Sequence, residues 1–408
     1  MKIFNRILKI TSSALLTLCM VFVMTACAEN SSQSEKSQPA EQTTVQPTTM
    51  SAEEINDRKL DKFISDMTLE EKVGQMFFVR CPDEDAVQHV SEYNIGGYIL
   101  FGRDFDGKTK DEVVDDIHSY QNEADIPLLI GVDEEGGTVV RVSSNPNLRE
   151  TPFLSPKDTY ADGGWDAVKQ DAEEKADLLL SLGINVNLAP VCDMTSDEYG
   201  FMYDRSFSSD VDMENRYVRT VVETSRSKKL GTVLKHFPGY GNNSDTHTGI
   251  AYDDRDYSEF ENTDFKPFYQ GIESGADCIL VSHNIVNCMD SEYPASLSQK
   301  VHDILRNEFK FDGVIMTDDL IMDAITDFTG DEAAAVTAAK CGNDLLCCSS
   351  VDTQYPAVLE AVQNGEIPEA QVDASVKRIL KWKQNLGIFN IDTYQKKVRT
   401  TDPTDATE

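Results

Sequence analysis

The stretch Gly313-Val314-Ile315-Met316-Thr317-Asp318 is an almost uninterrupted apolar run that ends at a carboxylate. Such a run is typical of a parallel β-strand that is covered on both faces. In barrels built from parallel strands, residues at the carboxyl ends of the strands form the active site. The stretch therefore predicts a buried strand that presents Asp318 to a functional site.

Seven further runs of the same kind are spread along the chain, and amphipathic stretches suited to helices lie between most of them, for example Trp165–Leu182, Glu214–Lys229 and Gln299–Phe309. The runs are Gln75–Val79, Gly97–Phe101, Pro127–Val132, Ile184–Ala189, Gly231–Leu234, Cys278–Ser282 and Asp344–Cys347. Eight strands that alternate with helices predict an α/β fold, a (β/α)8 TIM-like barrel in a single catalytic domain. A doubly wound open sheet has the same alternation, and the number of strands alone does not exclude it.

Polar residues capable of chemistry follow the ends of several of these runs. They are Asp133, Asp193, Lys235, His236, His283 and Asp318. The carboxyl ends of the strands converge on one site in a barrel, so this placement favours the barrel over the open sheet.

The first residues have the pattern of a secretory signal rather than of a folded segment. A positively charged N-terminal segment precedes an apolar stretch from about Ala14 to Met24, and Thr25-Ala26-Cys27 follows that stretch. A cysteine directly after small residues resembles a lipobox. This resemblance implies removal of residues 1–26, lipidation of Cys27 and a location on the outer face of the cell membrane. An ordinary signal peptide or a membrane span is the alternative, although the stretch is short for a span.

The rest of the chain divides into a tether, a folded domain and a tail. Residues 27–50 are rich in polar residues and proline, cannot bury enough apolar surface to fold, and are predicted to be a disordered tether. Ser51 and Glu54 fit a capping box that begins the first helix of a catalytic domain predicted over residues 51–395. Residues 396–408 are predicted to be a polar tail.

The composition excludes some classes of partner. The 408 residues carry a formal net charge of −34, and a surface this acidic repels phosphates, so no nucleic-acid partner is expected. Seven cysteines follow Cys27, and because their number is odd they predict buried thiols rather than a disulfide framework. No Cys/His spacing indicates a zinc site.

The stretch Lys235–Gly249 contains the richest set of chemically capable residues. A predicted strand ends in Lys235 and His236, and a loop with proline and glycines then leads to Asp245-Thr246-His247. An aspartate two residues before a histidine can hydrogen-bond the imidazole and fix its tautomer, which suits an acid/base at neutral pH. An ordinary capped turn is the alternative. A metal bound by the histidines of this region is a further alternative, but no helical HExxH pair supports it, and we expect no metal or cofactor.

The motifs together resemble bacterial β-N-acetylhexosaminidases of glycoside hydrolase family 3. The stretch Lys235–Gly249 resembles the signature of this family. The whole resemblance covers nearly all of the predicted domain, from about Ile64 to Phe389. Its other parts are Met67–Met76, Gly96–Phe101, Gly131–Gly137, Asn187–Asp193, Asp204–Phe207, Gly313–Leu320, Ser375–Leu380 and Leu386–Phe389.

The resemblance implies a role for each matching residue. Asp318 matches the catalytic nucleophile, and His247 matches the acid/base that Asp245 orients. The neighbouring Asp319 is the alternative nucleophile, although adjacent residues of a strand point to opposite faces. The positions that match sugar-binding residues are Asp133, Arg141, Arg205, Lys235 and His236. Arg141 and Arg205 have a structural alternative, as partners in ion pairs. The sequence departs from the family at Thr138, where arginine is frequent, and at Tyr240, where histidine or leucine is common.

The implied reaction is retaining hydrolysis of terminal, non-reducing β-linked N-acetylglucosamine from cell-wall or other glycans, through a covalent glycosyl-enzyme. The expected partners are a carbohydrate substrate, including peptidoglycan fragments, and the membrane through the lipid anchor. Two alternatives remain at this stage. One is a β-glucosidase-type enzyme of the same family, and the other is a lipid-anchored sugar-binding protein without catalysis.

Overall fold

Eight parallel strands form a barrel with helices around it. A computed structural model describes residues 50–243, 245–246, 249–329 and 331–397. The strands are β1 Phe77–Arg80, β2 Gly97–Leu100, β3 Leu129–Val132, β4 Val186–Asn187, β5 Gly231–Phe237, β6 Tyr252–Asp253, β7 Cys278–Val281, β8 Ile285–Val286, β9 Val314–Thr317 and β10 Leu346–Cys348. The large sheet has the order β10-β1-β2-β3-β4-β5-β7-β9, and β6 and β8 form a separate pair.

The helices lie between these strands and at the two ends of the domain. They are α1 Ala52–Ser65, α2 Leu69–Gln75, α3 Ala86–Tyr93, α4 Lys110–Glu123, α5 Pro156–Ser181, α6 Val211–Ser227, α7 Tyr257–Asn262, α8 Phe265–Glu273, α9 Gln299–Asp303, α10 Asp323–Thr329, α11 Asp331–Lys340, α12 Val351–Gln363 and α13 Glu369–Asn385. Among the described residues, no helix combines the length and the apolar character that crossing a membrane requires.

Strands β10 and β9, which stand at the two ends of the strand order, contact each other. This contact confirms the predicted barrel and excludes the open sheet. The backbone N–H of Thr317 donates to Leu345 O at 3.1 Å, and the N–H of Leu345 donates to Ile315 O at 3.1 Å. These bonds bring β9 beside β10 through a parallel bridge between Met316 and Leu345. The sheet therefore closes, and each of the eight predicted strands lies in it.

Alternate residues of each strand point to opposite sides of the barrel wall. Phe78 of β1 and Met316 of β9 belong to the apolar cluster that fills the interior. Phe77 and Val79 belong instead to a cluster between the wall and the helices. Each strand therefore has a row of alternate side chains that point into the barrel, which we call its inward row. The residue at the carboxyl end of each inward row lies at the mouth of the barrel, so these residues determine the chemistry there.

Local signals in the sequence explain most helix boundaries, and two predicted helices differ clearly from expectation. Ser51 and Glu54 form the predicted capping box at α1. Helix α5 begins at Pro156, before the predicted start at Trp165, and it contains a kink at Gly163 and Gly164. The predicted helix Gln299–Phe309 is divided, because its second half, Ile304–Glu308, is a π-helix.

The cysteines are free thiols in the described part of the chain. Six of the seven are buried, as predicted, and Cys288 is exposed. Burial raises the pKa of Cys81 to about 12, so this thiol stays protonated at physiological pH. None of the seven is paired in a disulfide.

Helix α13 closes the amino-terminal end of the barrel. Its residues Ile379 and Trp382 pack into the interior cluster, and the same helix buries Lys383 completely. The Lys383 ammonium donates to Gln75 Oε1 at 2.8 Å, and it has no carboxylate partner among the described residues. Burial lowers the pKa of Lys383 from 10.5 to about 7.

We predict that Lys383→Met stabilises the protein at neutral and acidic pH. Between pH 7 and 10.5 the side chain of Lys383 binds more protons in the unfolded chain than in the folded one, so the free energy of unfolding rises with pH across this range. The native lysine therefore destabilises the protein most below pH 7. The expected gain in the free energy of unfolding is on the order of 2 kcal/mol at pH 7, because the substitution also leaves Gln75 without its donor.

Denaturant unfolding of the two proteins between pH 6 and 10 measures this gain, which should fade as the pH rises. Lys381→Met is the matched control on the same helix, because Lys381 is half-exposed and pairs with Asp57. A gain that is constant across the pH range would contradict the prediction.

Candidate active site

One cavity of about 470 Å³ lies at the carboxyl ends of the strands and collects the predicted site residues. It is lined by Asp133, Arg141, Arg205, Lys235, His236, Asp245 and Asp318, among others. His247, the predicted acid/base, and Cys27, the predicted lipidation site, lie outside the described residues. The barrel therefore brings together every predicted catalytic and sugar-binding residue that the structure describes.

The inward rows of the strands explain why these side chains meet. Val233 and Met316 both belong to the interior cluster. Lys235 and Asp318 stand two residues further along β5 and β9, so they have the same inward direction and lie at the mouth of the barrel. Both line the cavity, as the alternation of an extended chain requires.

A buried ammonium lies at the centre of this cavity. Lys235 Nζ is 2.6 Å from Asp133 Oδ1 and 2.6 Å from Glu135 Oε1, and the lysine side chain is only 2% exposed. Burial alone would lower the pKa of Lys235, but the two carboxylates raise it above its ordinary value. The group is therefore a fixed cation that orients Asp133 towards the cavity.

Glu135 is a residue of the site to which sequence reasoning gave no role. Its carboxylate accepts from Arg205 Nε at 3.0 Å and from Arg205 Nη2 at 2.8 Å, in addition to contacting Lys235. Burial raises the pKa of Glu135, but the charges of Lys235 and Arg205 outweigh it and hold that pKa well below the usual range. Arg205 is thus both an ion-pair partner and a cavity residue, so the two interpretations of this arginine are compatible.

The hydrogen bonds of His236 fix its tautomer. The ring Nε2 lies 3.2 Å from Arg205 Nη2, and a guanidinium can only donate, so Nε2 accepts. The proton is then on Nδ1, which donates to Asp193 Oδ2 at 2.7 Å. Asp193 also accepts from the backbone N–H of Tyr240 at 2.7 Å. Asp193, predicted as a polar residue at a strand end, therefore positions His236 rather than lining the cavity.

Glu134 positions the loop that carries Arg141. Its buried carboxylate accepts from the backbone N–H groups of Arg141 at 2.8 Å and Val142 at 2.7 Å. The loop after β3 is thereby folded back towards the barrel, and the Arg141 side chain lines the cavity. The two adjacent glutamates thus have separate tasks, since Glu134 binds backbone and Glu135 binds cationic side chains.

Tyr240, one of the two departures from the family pattern, connects the loop to the barrel. Its hydroxyl lies 2.5 Å from Thr246 Oγ1, and its ring packs edge-on against His236 with 5.2 Å between centroids. Burial and the nearby charge of Asp318 raise the pKa of Tyr240, so the phenol stays protonated. Because Thr246 directly follows Asp245, this contact holds the loop at Asp245.

Asp319 and His283 are engaged in structural contacts. The Asp319 carboxylate accepts from Ser349 Oγ at 2.5 Å and from the backbone N–H of Ile321 at 3.2 Å. His283 lies 2.7 Å from Ser296 Oγ through Nδ1 and 3.0 Å from the carbonyl of Asp319 through Nε2. His283 does not line the cavity. Of the two adjacent aspartates, Asp318 and Asp319, it is Asp318 that continues the inward row of β9.

Comparisons with known proteins give the class of this barrel. Residues 68–382 match the Glycosyl hydrolase family 3 N terminal domain. This match covers well over half of the chain, so the protein belongs to glycosyl hydrolase family 3.

Relatives within that family carry a common name. A beta-hexosaminidase of Hydrogenovibrio crunogenus is 31% identical over 286 residues, which are 68% of this chain and 79% of the relative. A beta-hexosaminidase of Nitrosomonas eutropha is 32% identical over 279 residues, which are 66% of this chain and 78% of the relative. The solved structure of a family 3 beta-N-acetylglucosaminidase from Paenibacillus sp. superposes with a TM-score of 0.74 at 29% identity. That comparison covers 82% of this chain and 65% of the Paenibacillus chain.

We predict that Glu135→Gln destabilises the protein by about 3–5 kcal/mol at pH 7, because it leaves two buried cations with one countercharge fewer. The native pKa of Glu135 is depressed, so its stabilising contribution is complete above the ordinary value of 4.5 and is lost as the pH falls through the folded pKa. The difference between variant and wild type should therefore shrink in acid, as measured by unfolding at pH 7 and pH 3.5.

Glu214→Gln is the matched control for this substitution. Glu214 is equally buried, but burial raises its pKa well above the ordinary value and so favours its neutral form. Glutamine retains the acceptor for the Ser208 N–H, and little loss of stability is expected. Equal losses in the two variants would exclude charge compensation as the role of Glu135.

Proposed function

We propose that this protein removes terminal β-linked N-acetylglucosamine from cell-wall glycans with retention of anomeric configuration, using Asp318 as nucleophile. It is a β-N-acetylhexosaminidase of the glycoside hydrolase class. The observation that carries the mechanistic proposal is the position of Asp318, which ends the inward row of β9 in the cavity that Asp133, Lys235 and Asp245 also line.

The first half of the reaction forms a bond between enzyme and sugar. An Asp318 oxygen attacks the anomeric carbon as the bond from that carbon to the leaving oxygen breaks. His247 supplies the proton to the leaving oxygen, a role that rests on the sequence motif. Asp245, which lines the cavity two residues earlier in the chain, accepts a hydrogen bond from the imidazole and favours its protonated form.

The second half of the reaction reverses the roles. The neutral imidazole of His247 takes a proton from water, the water oxygen bonds to the anomeric carbon, and Asp318 leaves as a carboxylate. Because each displacement inverts the anomeric carbon, two displacements restore the β configuration. Retention is therefore the expected stereochemical outcome.

The polar groups of the cavity suit a sugar ring. The Asp133 carboxylate accepts hydrogen bonds from hydroxyl groups, while Lys235, His236 and Arg205 form a fixed layer behind it. These partners are held by ion pairs before any substrate binds, so little side-chain entropy is lost on binding. Arg141 adds a donor from the loop that Glu134 holds.

The function is tested with residues 50–408, 4-nitrophenyl β-N-acetylglucosaminide and the corresponding β-glucoside. Wild type should release nitrophenol mainly from the N-acetyl substrate, and the first sugar seen by NMR should be the β anomer. Asp318→Asn should lower kcat at least about a thousand-fold, because it removes the nucleophile.

Asp319→Asn is the matched comparison, because Asp319 also lines the cavity but its carboxylate is engaged with Ser349 and with the backbone N–H of Ile321. A larger loss at Asp319 than at Asp318 would overturn the assignment of the nucleophile. Preference for the glucoside would move the protein to the β-glucosidase-type branch. No turnover by folded wild type would favour a sugar-binding protein.

The sequence of the N-terminus supports a proposal for the location of the enzyme. We propose that Cys27 carries lipid and that residues 27–50 tether the catalytic domain to the outer face of the cell membrane. The support is the pattern of a positively charged start, an apolar stretch and small residues directly before Cys27.

We predict that Cys27→Ser moves the activity from the membrane fraction to the soluble extracellular fraction, because a serine hydroxyl does not replace the lipidated thiol. Metabolic labelling with a radioactive fatty acid should mark the wild-type chain and leave the variant unlabelled. Cys288→Ser is the control, since Cys288 is the exposed thiol of the folded domain. Lipid label that persists in Cys27→Ser would contradict the anchor.

A further inference from the structure

His283 is a strand-end histidine that the proposed reaction does not use. It is the second residue after β7, its side chain is fully buried, and it does not line the active-site cavity. Its ring contacts Ser296 on one side and the backbone of Asp319 on the other. Because Asp319 directly follows the proposed nucleophile, His283 is connected to the catalytic carboxylate through a single residue.

The two partners of His283 fix its tautomer and its orientation. The ring Nε2 lies 3.0 Å from the carbonyl oxygen of Asp319, which can only accept, so Nε2 carries a proton and donates it. The ring Nδ1 lies 2.7 Å from Ser296 Oγ, which donates to the neutral ring. Ser296 is itself fully buried and held, because its N–H donates to Ser282 O at 2.9 Å and its carbonyl accepts from Asn343 Nδ2 at 2.7 Å.

The chain turns away from β9 directly after the nucleophile, and the two neighbouring strands hold this turn. The N–H of Asp318 donates to Val281 O of β7 at 3.1 Å. The N–H of Leu320 donates to Cys347 O of β10 at 3.1 Å. Asp319 lies between these two fixed points, where the chain has already left the strand.

Both backbone groups of Asp319 make hydrogen bonds that bear on the nucleophile. Its N–H donates to Asp318 Oδ1 at 2.9 Å and so orients the carboxylate. Its carbonyl accepts from the N–H of Met322 at 3.1 Å, within the turn, and from His283. The Met322 bond moves with the turn, whereas the His283 bond connects the turn to the end of β7. The direction of the N–H that orients Asp318 therefore depends on His283.

We infer that His283 is a positioning residue, which holds the backbone of Asp319 so that the Asp318 carboxylate is aligned with the anomeric carbon. This inference rests on the proposed function, in which Asp318 is the nucleophile. A misplacement of about 1 Å can lower the rate of a chemical step about a hundred-fold, so one hydrogen bond behind the nucleophile affects the rate. Sugar binding does not depend on this bond, because His283 lies outside the cavity.

The test compares His283→Met with His283→Gln on 4-nitrophenyl β-N-acetylglucosaminide. Methionine fills much of the volume but has no donor, so kcat should fall about ten- to a hundred-fold while KM stays within about two-fold of wild type. Glutamine places an amide N–H near the position of Nε2 and should recover at least part of the lost kcat. A purely structural role would lower the stability of both variants without this difference in kcat.

His302→Met is the matched control for loss of a buried imidazole. His302 is 1% exposed, and its Nδ1 bonds to Ser298 O at 2.7 Å rather than to the turn after β9. The variant should unfold at a lower temperature than wild type, and its kcat should stay within about two-fold of wild type.

Ser296→Ala keeps the inference testable if His283→Met does not fold. This substitution removes only the hydroxyl that donates to Nδ1, so the ring is no longer fixed on that side. The kcat should fall about three- to ten-fold, which is the range for one hydrogen bond, and KM should not change.

A wild-type kcat in folded His283→Met or in Ser296→Ala would overturn the role of His283, and so would a loss that falls on KM. Equal losses of kcat in His283→Met and His283→Gln would also overturn it, because the N–H would then not matter. Each of these results leaves the glycosidase intact. Failure of the proposed function has a different signature, since wild type would release no nitrophenol or Asp318→Asn would retain full kcat.

Discussion

The buried ammonium of Lys235 is the interaction on which the active site depends. A charge this deep in a barrel is tolerated only with countercharges at contact distance, and Asp133 and Glu135 provide them at 2.6 Å. Glu135 in turn binds Arg205, and Arg205 fixes the tautomer of His236. The sugar-binding side of the cavity is therefore one electrostatic unit, in which removal of Asp133, Glu135, Lys235 or Arg205 leaves another charge with one partner fewer.

The barrel could be predicted from the sequence because burial on both faces leaves a strong signal. The eight apolar runs predicted all eight strands of the barrel. Alternation predicted that Asp318 faces the cavity and Asp319 the other side, but both line the cavity, because the strand ends at Thr317 and the chain beyond it need not alternate. The strand ends were less predictable. The run Ile184–Ala189 forms only the two-residue strand Val186–Asn187, and the run that begins at Gly231 continues as a strand to Phe237.

The parts of the site that sequence reasoning missed depend on contacts between distant segments. Glu134 and Glu135 look equivalent in the chain, and only the folded loop shows that one binds backbone and the other binds cations. Arg80, which also lines the cavity, directly follows a predicted strand, so the same rule that selected Asp318 could have selected it. Tyr240 was recognised as a departure from the family, but its bond to Thr246 is visible only in three dimensions.

Helix α13 and the interior side chains make the cavity a blind pocket. Trp382 and Ile379 fill the far end of the barrel, and Phe78 and Met316 belong to the same cluster, so the barrel interior below the cavity is filled by described side chains. Under the proposed function, a glycan chain enters this pocket tip first, and the released monosaccharide leaves by the mouth through which the chain arrived. Each catalytic cycle therefore includes full dissociation, and accumulated free sugar competes directly with the next chain end. Such an enzyme trims short fragments well and long polymers only from their ends.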